Sequence, residues 1–181
     1  MIKLTIKHEG ETLEGHLPNS WQELTVKQYI GLNSKLTEAQ LVSLLSGLDL
    51  SFIENTSTDL EPVIARLNEW FGEIPPDMKE LKRVTISMEG KVINFASSIN
   101  FTKFGQQSMV KNLIQEHNNL EVIVPDVFAI YAQPIIDGKF DSTRIEAIKG
   151  LVNQLPIMQV YPHVLFFFKK LKRMKLHLLT K

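Results

Sequence analysis

The sequence predicts an α+β fold that is mostly α-helical, with two β-hairpins each followed by a helical segment. Short stretches alternate apolar and polar residues with a period of two, and longer stretches repeat their apolar residues at helical spacing. The chain has 181 residues, 44% of them hydrophobic and 22% charged. This composition is that of an ordinary folded protein, and the length is enough to bury a core.

The order of hairpin and helix start occurs twice along the chain. A turn at Gly10 precedes Gln28 by 18 residues, and a turn at Gly90 precedes Gln106 by 16 residues. Both turns read Glu-Gly, and glycine tolerates the positive φ that a tight reversal needs. We interpret this order as a weak internal duplication.

The duplication predicts two half-repeats, each a hairpin plus helices. Residues 1–75 form the first, and residues 76–181 form the second, which ends in a basic amphipathic helix. The prolines and mixed charges at 73–82 read as a joint that is too short to separate the halves far. We therefore expect one compact unit in which the two hairpins share one sheet.

The alternation in each hairpin indicates which side chains point inward. These are Ile2, Leu4 and Ile6 in the first hairpin, and Val84, Ile86, Met88, Ile93 and Phe95 in the second. The helices show apolar faces at the spacing of buried helical stripes. Their predicted members are Leu41, Leu44, Leu45 and Leu48; Val63, Ile64, Leu67 and Trp70 or Phe71; Met109, Val110, Leu113 and Ile114; and Ile145, Ile148, Leu151, Val152 and Leu155.

Helix starts are marked by capping-box patterns, in which a hydroxyl or carboxylate and a residue three positions later bond to each other's backbone amides. The four predicted boxes are Ser20 with Glu23, Thr37 with Gln40, Thr58 with Glu61, and Asp141 or Thr143 with Glu146. Asn33, Gly47 and Gly72 are expected to end helices. Pro125 is expected to begin a later helix, which Pro134 breaks or kinks.

No pattern in the chain indicates catalysis, a metal or a cofactor. Cysteine is absent, and the five histidines have no metal-ligand spacing. Phosphate-binding glycine motifs and the nucleophile elbow are missing as well. The stretch from Asp137 to Asp141 favours a turn followed by a helix cap over a cation loop, since further oxygen donors are lacking. We expect a protein that is not an enzyme.

The charge of the chain is unevenly distributed. Residues 169–181 hold six of the 20 Lys and Arg residues and none of the 20 acidic residues, which leaves residues 1–168 at a formal charge of −6. This basic segment could serve nucleic acid, an anionic membrane or an acidic protein, or could simply complement the helix dipole. Three adjacent phenylalanines at 166–168 cannot all face inward. The predicted partner-binding residues are Phe166, Phe167, Lys169, Lys170, Lys172, Arg173 and Lys175.

Residues 17–29, LPNSWQELTVKQY, follow the first hairpin and lead into a helix. Together with Ser46-Gly47-Leu48 and with prolines at 156 and 162 before an aromatic-rich helix, this stretch resembles small tailed-phage proteins of the tail-assembly-chaperone type. The pattern is also similar to virion or packaged proteins of phages infecting gut Bacteroidetes, including crAss-like phages. The resemblance implies a non-enzymatic role in morphogenesis, either binding apolar segments of a tape-measure-like protein or forming part of the tail or neck.

The predicted function is therefore phage morphogenesis by protein–protein binding. The partners are a tail or tape-measure-like protein, neighbouring virion proteins or further copies of the chain. The alternative is a nucleic-acid-binding accessory protein that uses the basic C-terminal helix. No signal peptide begins the sequence and no apolar run is long enough to cross a bilayer, so we expect the host cytoplasm during assembly, or the virion, and no membrane.

Overall fold

A computed structural model describes most of the chain. The described residues are 1–32, 34–71, 85–94, 101–117, 119 and 122–160. They form two compact units, the first built from described residues up to 71 with 156–158, the second from those between 85 and 155 with 159–160. Helices predominate beside two antiparallel two-stranded sheets, which confirms the α+β class. The half-repeats 1–75 and 76–181 stay a prediction.

The first unit opens with a hairpin of strands β1 (Ile2–His8) and β2 (Glu11–Leu17). Glu9 and Gly10 connect them with φ values of 47° and 87°. Positive φ at both turn residues matches the twist of the flanking strands. The strand alternation is confirmed, since Ile2, Leu4 and Ile6 are all buried.

Four helices follow a short 3₁₀ turn at Trp21–Glu23 within the described residues up to 71. They are α1 (Val26–Leu32), α2 (Glu38–Ser46), α3 (Leu50–Glu54) and α4 (Glu61–Phe71). Helix α2 packs against α1, α3 and strand β2, so it covers the hairpin. Residues 156–158 join this unit, because Ile157 N–H donates to Leu24 O at 2.7 Å.

The capping box at Thr37 is confirmed, whereas the one predicted at Ser20 is wrong. Thr37 Oγ1 accepts from the N–H of Gln40, and the Gln40 side chain accepts from the N–H of Thr37. The Ser20 side chain makes no cap bond, and the Glu23 carboxylate instead accepts from the Asn19 N–H at 3.0 Å. A 3₁₀ turn is too short for the reciprocal box, so the carboxylate reaches one residue further back.

The box predicted at Thr58 is also wrong. Thr58 Oγ1 accepts from the N–H of Lys7 at 3.0 Å, so this hydroxyl ties the loop to strand β1. The N–H of Glu61 donates to Asp59 Oδ1 at 3.0 Å, which makes Asp59 the carboxylate at the start of α4. At the end of α2, Gly47 adopts a φ of 74° and closes the helix as expected.

The second unit begins with a hairpin of strands β3 (Thr85–Met88) and β4 (Lys91–Asn94). Its turn repeats the first one, with φ values of 47° at Glu89 and 72° at Gly90. The expectation that the hairpins share a sheet is wrong, since within the described ranges each strand pairs only inside its own hairpin. Each hairpin packs instead against a helix of its own unit, β2 against α2 and β4 against helix α6 (Val124–Asp137).

Two further helices pack against α6 in the second unit. They are α5 (Phe104–Glu116) and α7 (Ile145–Gln154). Pro125 lies in the first turn of α6, as predicted. The sequence predicts that Pro134 breaks or kinks this helix. The break is wrong, because α6 continues to Asp137 and ends only at Gly138, which adopts a φ of 76°. The kink stays a prediction.

The fourth predicted box is half right. Asp141 does act as a cap, but it caps a 3₁₀ turn at Ser142–Arg144, where Oδ1 accepts from the N–H of Thr143 at 2.9 Å. Helix α7 begins after that turn without a side-chain cap bond, and Glu146 is exposed. The turn-and-cap interpretation of residues 137–141 is confirmed.

The predicted helical faces are confirmed in part. The predicted residues that are buried are Leu45, Ile64, Leu67, Trp70, Val110, Ile114, Ile145, Ile148 and Val152. The buried face of α2 is not the predicted one. Val42 and Leu45 are its buried residues, whereas Leu41 and Leu44 are half-buried. Gln106, a polar residue that the pattern did not place in the core, is buried in α5.

Several predictions fall outside the described residues. They concern Asn33, Gly72, Val84, Phe95 and the C-terminal segment from 161 onward. Among the helices that the structure describes, none combines the length and the apolar character needed to cross a bilayer.

Candidate functional site

The first unit contains an open cleft of about 490 Å³. It lies beside the Trp21 turn, between α1, the start of α2 and α4. The described residues that line it are Trp21, Tyr29, Leu32, Ser34, Leu36, Thr37, Glu38, Leu41, Ile64, Asn68 and Phe71. Aromatic and aliphatic side chains thus form most of the lining, with a few polar groups among them, as is usual for binding pockets.

Four aromatic rings meet at one end of the cleft. Trp21 contacts Tyr29 at a centroid distance of 6.5 Å and an interplanar angle of 62°, and Phe71 at 6.1 Å and 73°. Trp70 lies behind the lining, T-shaped against Trp21 at 5.7 Å and 89°. Edge-to-face pairs at these distances are favourable beyond their buried area. Trp70 and Phe71 instead lie in a tilted stack at 4.2 Å and 33°, so the cluster combines edge-to-face and stacked contacts.

Both tryptophans of the chain belong to this cluster. Their indole nitrogens are buried, and neither Nε1 has a hydrogen-bond partner among the described residues. Buried Trp N–H groups usually find an acceptor. The T-shaped contact brings the edge of one indole to the face of the other, a geometry in which an N–H can face a π system.

The hydrogen bonds of Gln28 fix the position of α1 beside the cleft. Gln28 Oε1 accepts from the N–H of Thr25 at 2.9 Å, and Nε2 donates to Leu45 O at 2.8 Å. One side chain thus closes the first turn of α1 and joins α1 to the end of α2. Because Tyr29 follows directly, this bond pair also sets where the tyrosine meets the cleft.

The turn that carries Trp21 is held by Glu23. Its carboxylate accepts from the N–H of Asn19 at 3.0 Å and from the amino group of Met1 at 2.9 Å. The backbone hydrogen bond from Asn19 and, next, the bond from the amino group lower the pKa of Glu23, so the carboxylate stays ionised at neutral pH.

Glu38 is the single charged side chain among the described residues that line the cleft. It lies in the first turn of α2 and is exposed. The surrounding unit is acidic too. Residues 1–71 contain ten Asp and Glu but only five Lys and Arg, a formal charge of −5. The cleft therefore combines apolar and polar lining in an acidic unit.

Gln106 repeats in the second unit the hydrogen bonds that Gln28 makes in the first. Its Oε1 accepts from the N–H of Lys103 at 3.3 Å, and its Nε2 donates to Ile130 O of α6 at 2.9 Å. In both units a glutamine after the hairpin closes its own helix start and binds a carbonyl of the next helix. This shared plan supports the internal duplication.

The second unit has a polar cluster around the fully buried Gln133. Its Oε1 accepts from the N–H of Asp141 at 2.9 Å, and its Nε2 donates to Lys139 O at 3.0 Å and to Asp137 Oδ2 at 2.9 Å. Arg144 joins Asp137 to Glu89 of the hairpin turn, with Nη2 at 2.8 Å from Glu89 Oε2. Each of these groups has a hydrogen-bond or ion-pair partner within the cluster, so the cluster fixes the loop that connects α6 to α7.

No cluster of three or more His, Cys, Asp or Glu side chains suited to a metal ion occurs in the part of the chain that the structure describes. The predicted partner-binding residues all lie outside that part. They are Phe166, Phe167, Lys169, Lys170, Lys172, Arg173 and Lys175. The cleft itself was missed by sequence reasoning, although Trp21 and Tyr29 belong to the helix-start motif and Trp70 and Phe71 end a predicted helix.

Comparison of the chain with protein-family models, curated proteins and solved structures finds no match. Function is therefore inferred from the chemistry of the cleft and from the residues of the helix-start motif.

Proposed function

We propose that this chain is a non-enzymatic morphogenesis protein of a tailed bacteriophage, of the tail-assembly-chaperone type or a structural component of the tail or neck. It acts by holding an apolar segment of a tail or tape-measure-like protein in the cleft of its first unit. The observation that carries this proposal is that motif residues from the phage resemblance build the cleft. Trp21 and Tyr29 line the cleft. Gln28, which lies between them in the chain, donates to Leu45 O and so joins α1 to α2.

The shape of the cleft suits a segment of a partner protein. An amphipathic helix buries its apolar residues by laying one face into a hydrophobic groove. The half-buried Leu41, together with Ile64 and the ring of Phe71, offers a surface for such a face. The polar groups at Ser34, Thr37 and Asn68 can orient the backbone or the polar flank of the bound segment.

The hydrogen bonds that the two units share do not require an aromatic residue at the position of Tyr29. Gln106 repeats the hydrogen bonds of Gln28, yet the residue that follows is Gln107 where the first unit has Tyr29. Gln107 is exposed and donates to Phe101 O at 2.8 Å. The scaffold thus forms without an aromatic residue at this position.

The nucleic-acid alternative concerns residues 169–181 and stays a prediction. It requires an affinity for DNA that falls steeply with salt, because each neutralised phosphate releases counterions. Removal of residues 169–181 would abolish that affinity. The same truncation would leave binding at the cleft unchanged.

The experiment that tests the proposal compares purified phage particles with the infected-cell lysate by quantitative mass spectrometry. A ring-like stoichiometry in particles identifies a structural component, and abundance in lysate alone identifies a transient chaperone. Tagged wild-type chain should capture a tail or tape-measure-like protein, and Leu41→Glu, which places a charge in the cleft, should lose it. Val92→Glu serves as control, since Val92 is exposed in the other unit. Equal capture by Leu41→Glu and wild type would overturn the proposal.

A further inference from the structure

We propose that strand β1 binds the β1 strand of a second copy of this chain. The two strands run antiparallel about a two-fold axis at Leu4, so the two hairpins form one four-stranded sheet. The surface is the outer edge of β1 at Lys3 and Thr5, which lies outside the cleft. It adds a homodimer contact to a chain whose proposed function is the binding of another protein.

Alternate residues of β1 direct their backbone groups away from β2. The two-residue turn makes His8 a hydrogen-bonded partner of β2, and such bonds recur at every second residue from there. Lys3, Thr5 and Lys7 fall between those positions and direct N–H and C=O to the outer edge. A further strand could therefore pair at these three residues.

The edge is already filled at Lys7 and open beyond it. Thr58 Oγ1 accepts from the N–H of Lys7 at 3.0 Å, and Thr56 Oγ1 donates to Lys7 O at 2.7 Å. Among the described residues, Lys3 and Thr5 make no backbone hydrogen bond outside the hairpin. Their N–H and C=O groups are thus open to an added strand.

The register about Leu4 is the one that the open edge and its charges permit. It places Lys3 opposite Thr5 of the second copy, and Thr5 opposite Lys3 of the second copy. An axis at Lys3 would place two lysines directly opposite each other, which is destabilising. An axis at Thr5 would place Lys3 opposite Lys7 of the second copy, whose outward groups are already bonded.

The side chains of the two strands match in this register. Ile2 of one copy lies opposite Ile6 of the second, and the two Leu4 side chains face each other, all on the face that is buried in each hairpin. Lysine on an edge strand usually discourages pairing. Here Lys3 Nζ lies 2.7 Å from Glu14 Oε1, so its charge is offset within its own hairpin. One patch therefore fits a second copy of itself, as a two-fold contact requires.

Sedimentation velocity of the full chain over a range of concentrations tests the contact. We expect a reversible dimer with a dissociation constant on the order of 10 µM, because the contact is small. Thr5→Lys places two Lys–Lys pairs in the dimer and should weaken association about five-fold or more. Thr5→Pro should weaken it as well, since it removes the outward N–H and leaves the bonds to β2 in place.

Thr12 supplies the matched controls. It is exposed and directs its backbone groups outward from β2, on the opposite edge of the same hairpin. Thr12→Lys and Thr12→Pro should leave the dimer unchanged. Unchanged unfolding midpoints, measured at concentrations where the chain is monomeric, verify that each variant folds.

Cross-linking tests the register itself, since the chain has no cysteine of its own. A Cys at position 3 of one copy should face a Cys at position 5 of the second at a Cα distance of about 5.5 Å, which a disulfide can bridge. A mixture of Lys3→Cys and Thr5→Cys chains should therefore form a mixed disulfide dimer under mild oxidation. Each variant alone should form about five-fold less, because its cysteines are not directly opposite.

Three results would each overturn the proposed contact. They are a monomer at every concentration up to about twenty times the expected dissociation constant, equal effects of Thr5→Lys and Thr12→Lys, and cross-linking of either Cys variant alone as readily as the mixture. Leu41→Glu should leave the dimer intact. Loss of tail-protein capture and loss of the dimer thus report on different surfaces.

Discussion

Gln106 supplies the hydrogen bond that Pro134 cannot make. Proline has no backbone N–H, so the carbonyl four residues earlier in a helix loses its normal donor. In α6 that carbonyl belongs to Ile130, and Gln106 Nε2 from α5 donates to it at 2.9 Å. The glutamine side chain is only 3% exposed. A polar side chain from a neighbouring helix thus lets α6 continue through a proline.

This relationship predicts an energetic coupling between the two residues. Gln106→Met should lower the free energy of unfolding by about 1–3 kcal/mol, because the buried Ile130 carbonyl is left without a donor. In a Pro134→Ala background the loss should be smaller, since residue 134 then provides its own N–H. Chemical denaturation of the two single variants and the double variant measures the coupling.

Additive effects of Gln106→Met and Pro134→Ala would contradict this interpretation. The control is Gln107→Met in the same helix. Gln107 is exposed, and its replacement should change stability by about 0.5 kcal/mol or less.

Gln133 should be among the residues least tolerant of an apolar replacement. Its side-chain amide accepts a hydrogen bond from the N–H of Asp141 and donates one to the carbonyl of Lys139, and the residue is completely buried. Gln133→Met fills a similar volume but leaves those backbone groups unpaired. We expect a loss of about 2 kcal/mol or more in stability. Hydrogen exchange should show faster exchange of the Asp141 amide, and unchanged exchange there would refute the role of Gln133.

Two helical glycines should respond to alanine with opposite sign. A Cβ at Gly150 in α7 meets no atom within 4 Å, so Gly150→Ala should raise stability by about 0.5–1 kcal/mol. A Cβ at Gly105 in α5 would lie 2.5 Å from Cε1 of Phe140. Gly105→Ala should destabilise the protein, because a ring cannot shift as easily as the end of an aliphatic chain. Thermal unfolding of both variants compares them, and the prediction fails if both move in the same direction.

The free energy of unfolding at acidic pH should depend on Asp141. The hydroxyl of Thr143 donates to its Oδ1 at 2.7 Å, and this bond, followed by the Thr143 N–H, lowers the pKa of the carboxyl. A lowered pKa in the folded state stabilises the protein above the unfolded value of about 4, and this contribution disappears as the pH falls through the folded value.

Thr143→Val removes the largest cause of the shift. The pKa of Asp141, followed by NMR, should then rise toward its ordinary value, and the loss of stability on acidification below about pH 4 should become shallower. Ser51→Ala tests the same chemistry in the other unit, where Ser51 lowers the pKa of Asp49. An unshifted titration of Asp141 in Thr143→Val would show that the hydroxyl is not the cause.

Much of the fold was predictable because its signals are local. The alternation of Ile2, Leu4 and Ile6 marks a strand, and the two Glu-Gly turns mark hairpins whose residues both adopt positive φ. Thr37 and Gln40 bond to each other across a single helical turn, so their pattern alone is sufficient.

The same reasoning failed where a side chain bonds to a distant segment. Thr58 has the sequence context of a helix cap, yet its hydroxyl binds the N–H of Lys7 in strand β1. Pro134 reads as a helix breaker, and only the approach of Gln106 explains why α6 continues. In both cases the competing partner is far away in sequence, and a local pattern contains no information about it.

The sequence by itself determined the α+β class, the two hairpins and the helix content, since these follow from periodicity, turn chemistry and caps within a few residues. Only the tertiary structure decided that the hairpins form separate sheets and that a cleft exists. Tyr29 follows Trp21 by eight residues, but Phe71 follows it by fifty and reaches Trp21 only when α4 folds back onto the start of the unit. A binding site made of such residues depends on side-chain packing between helices, which the order of residues along one helix does not specify.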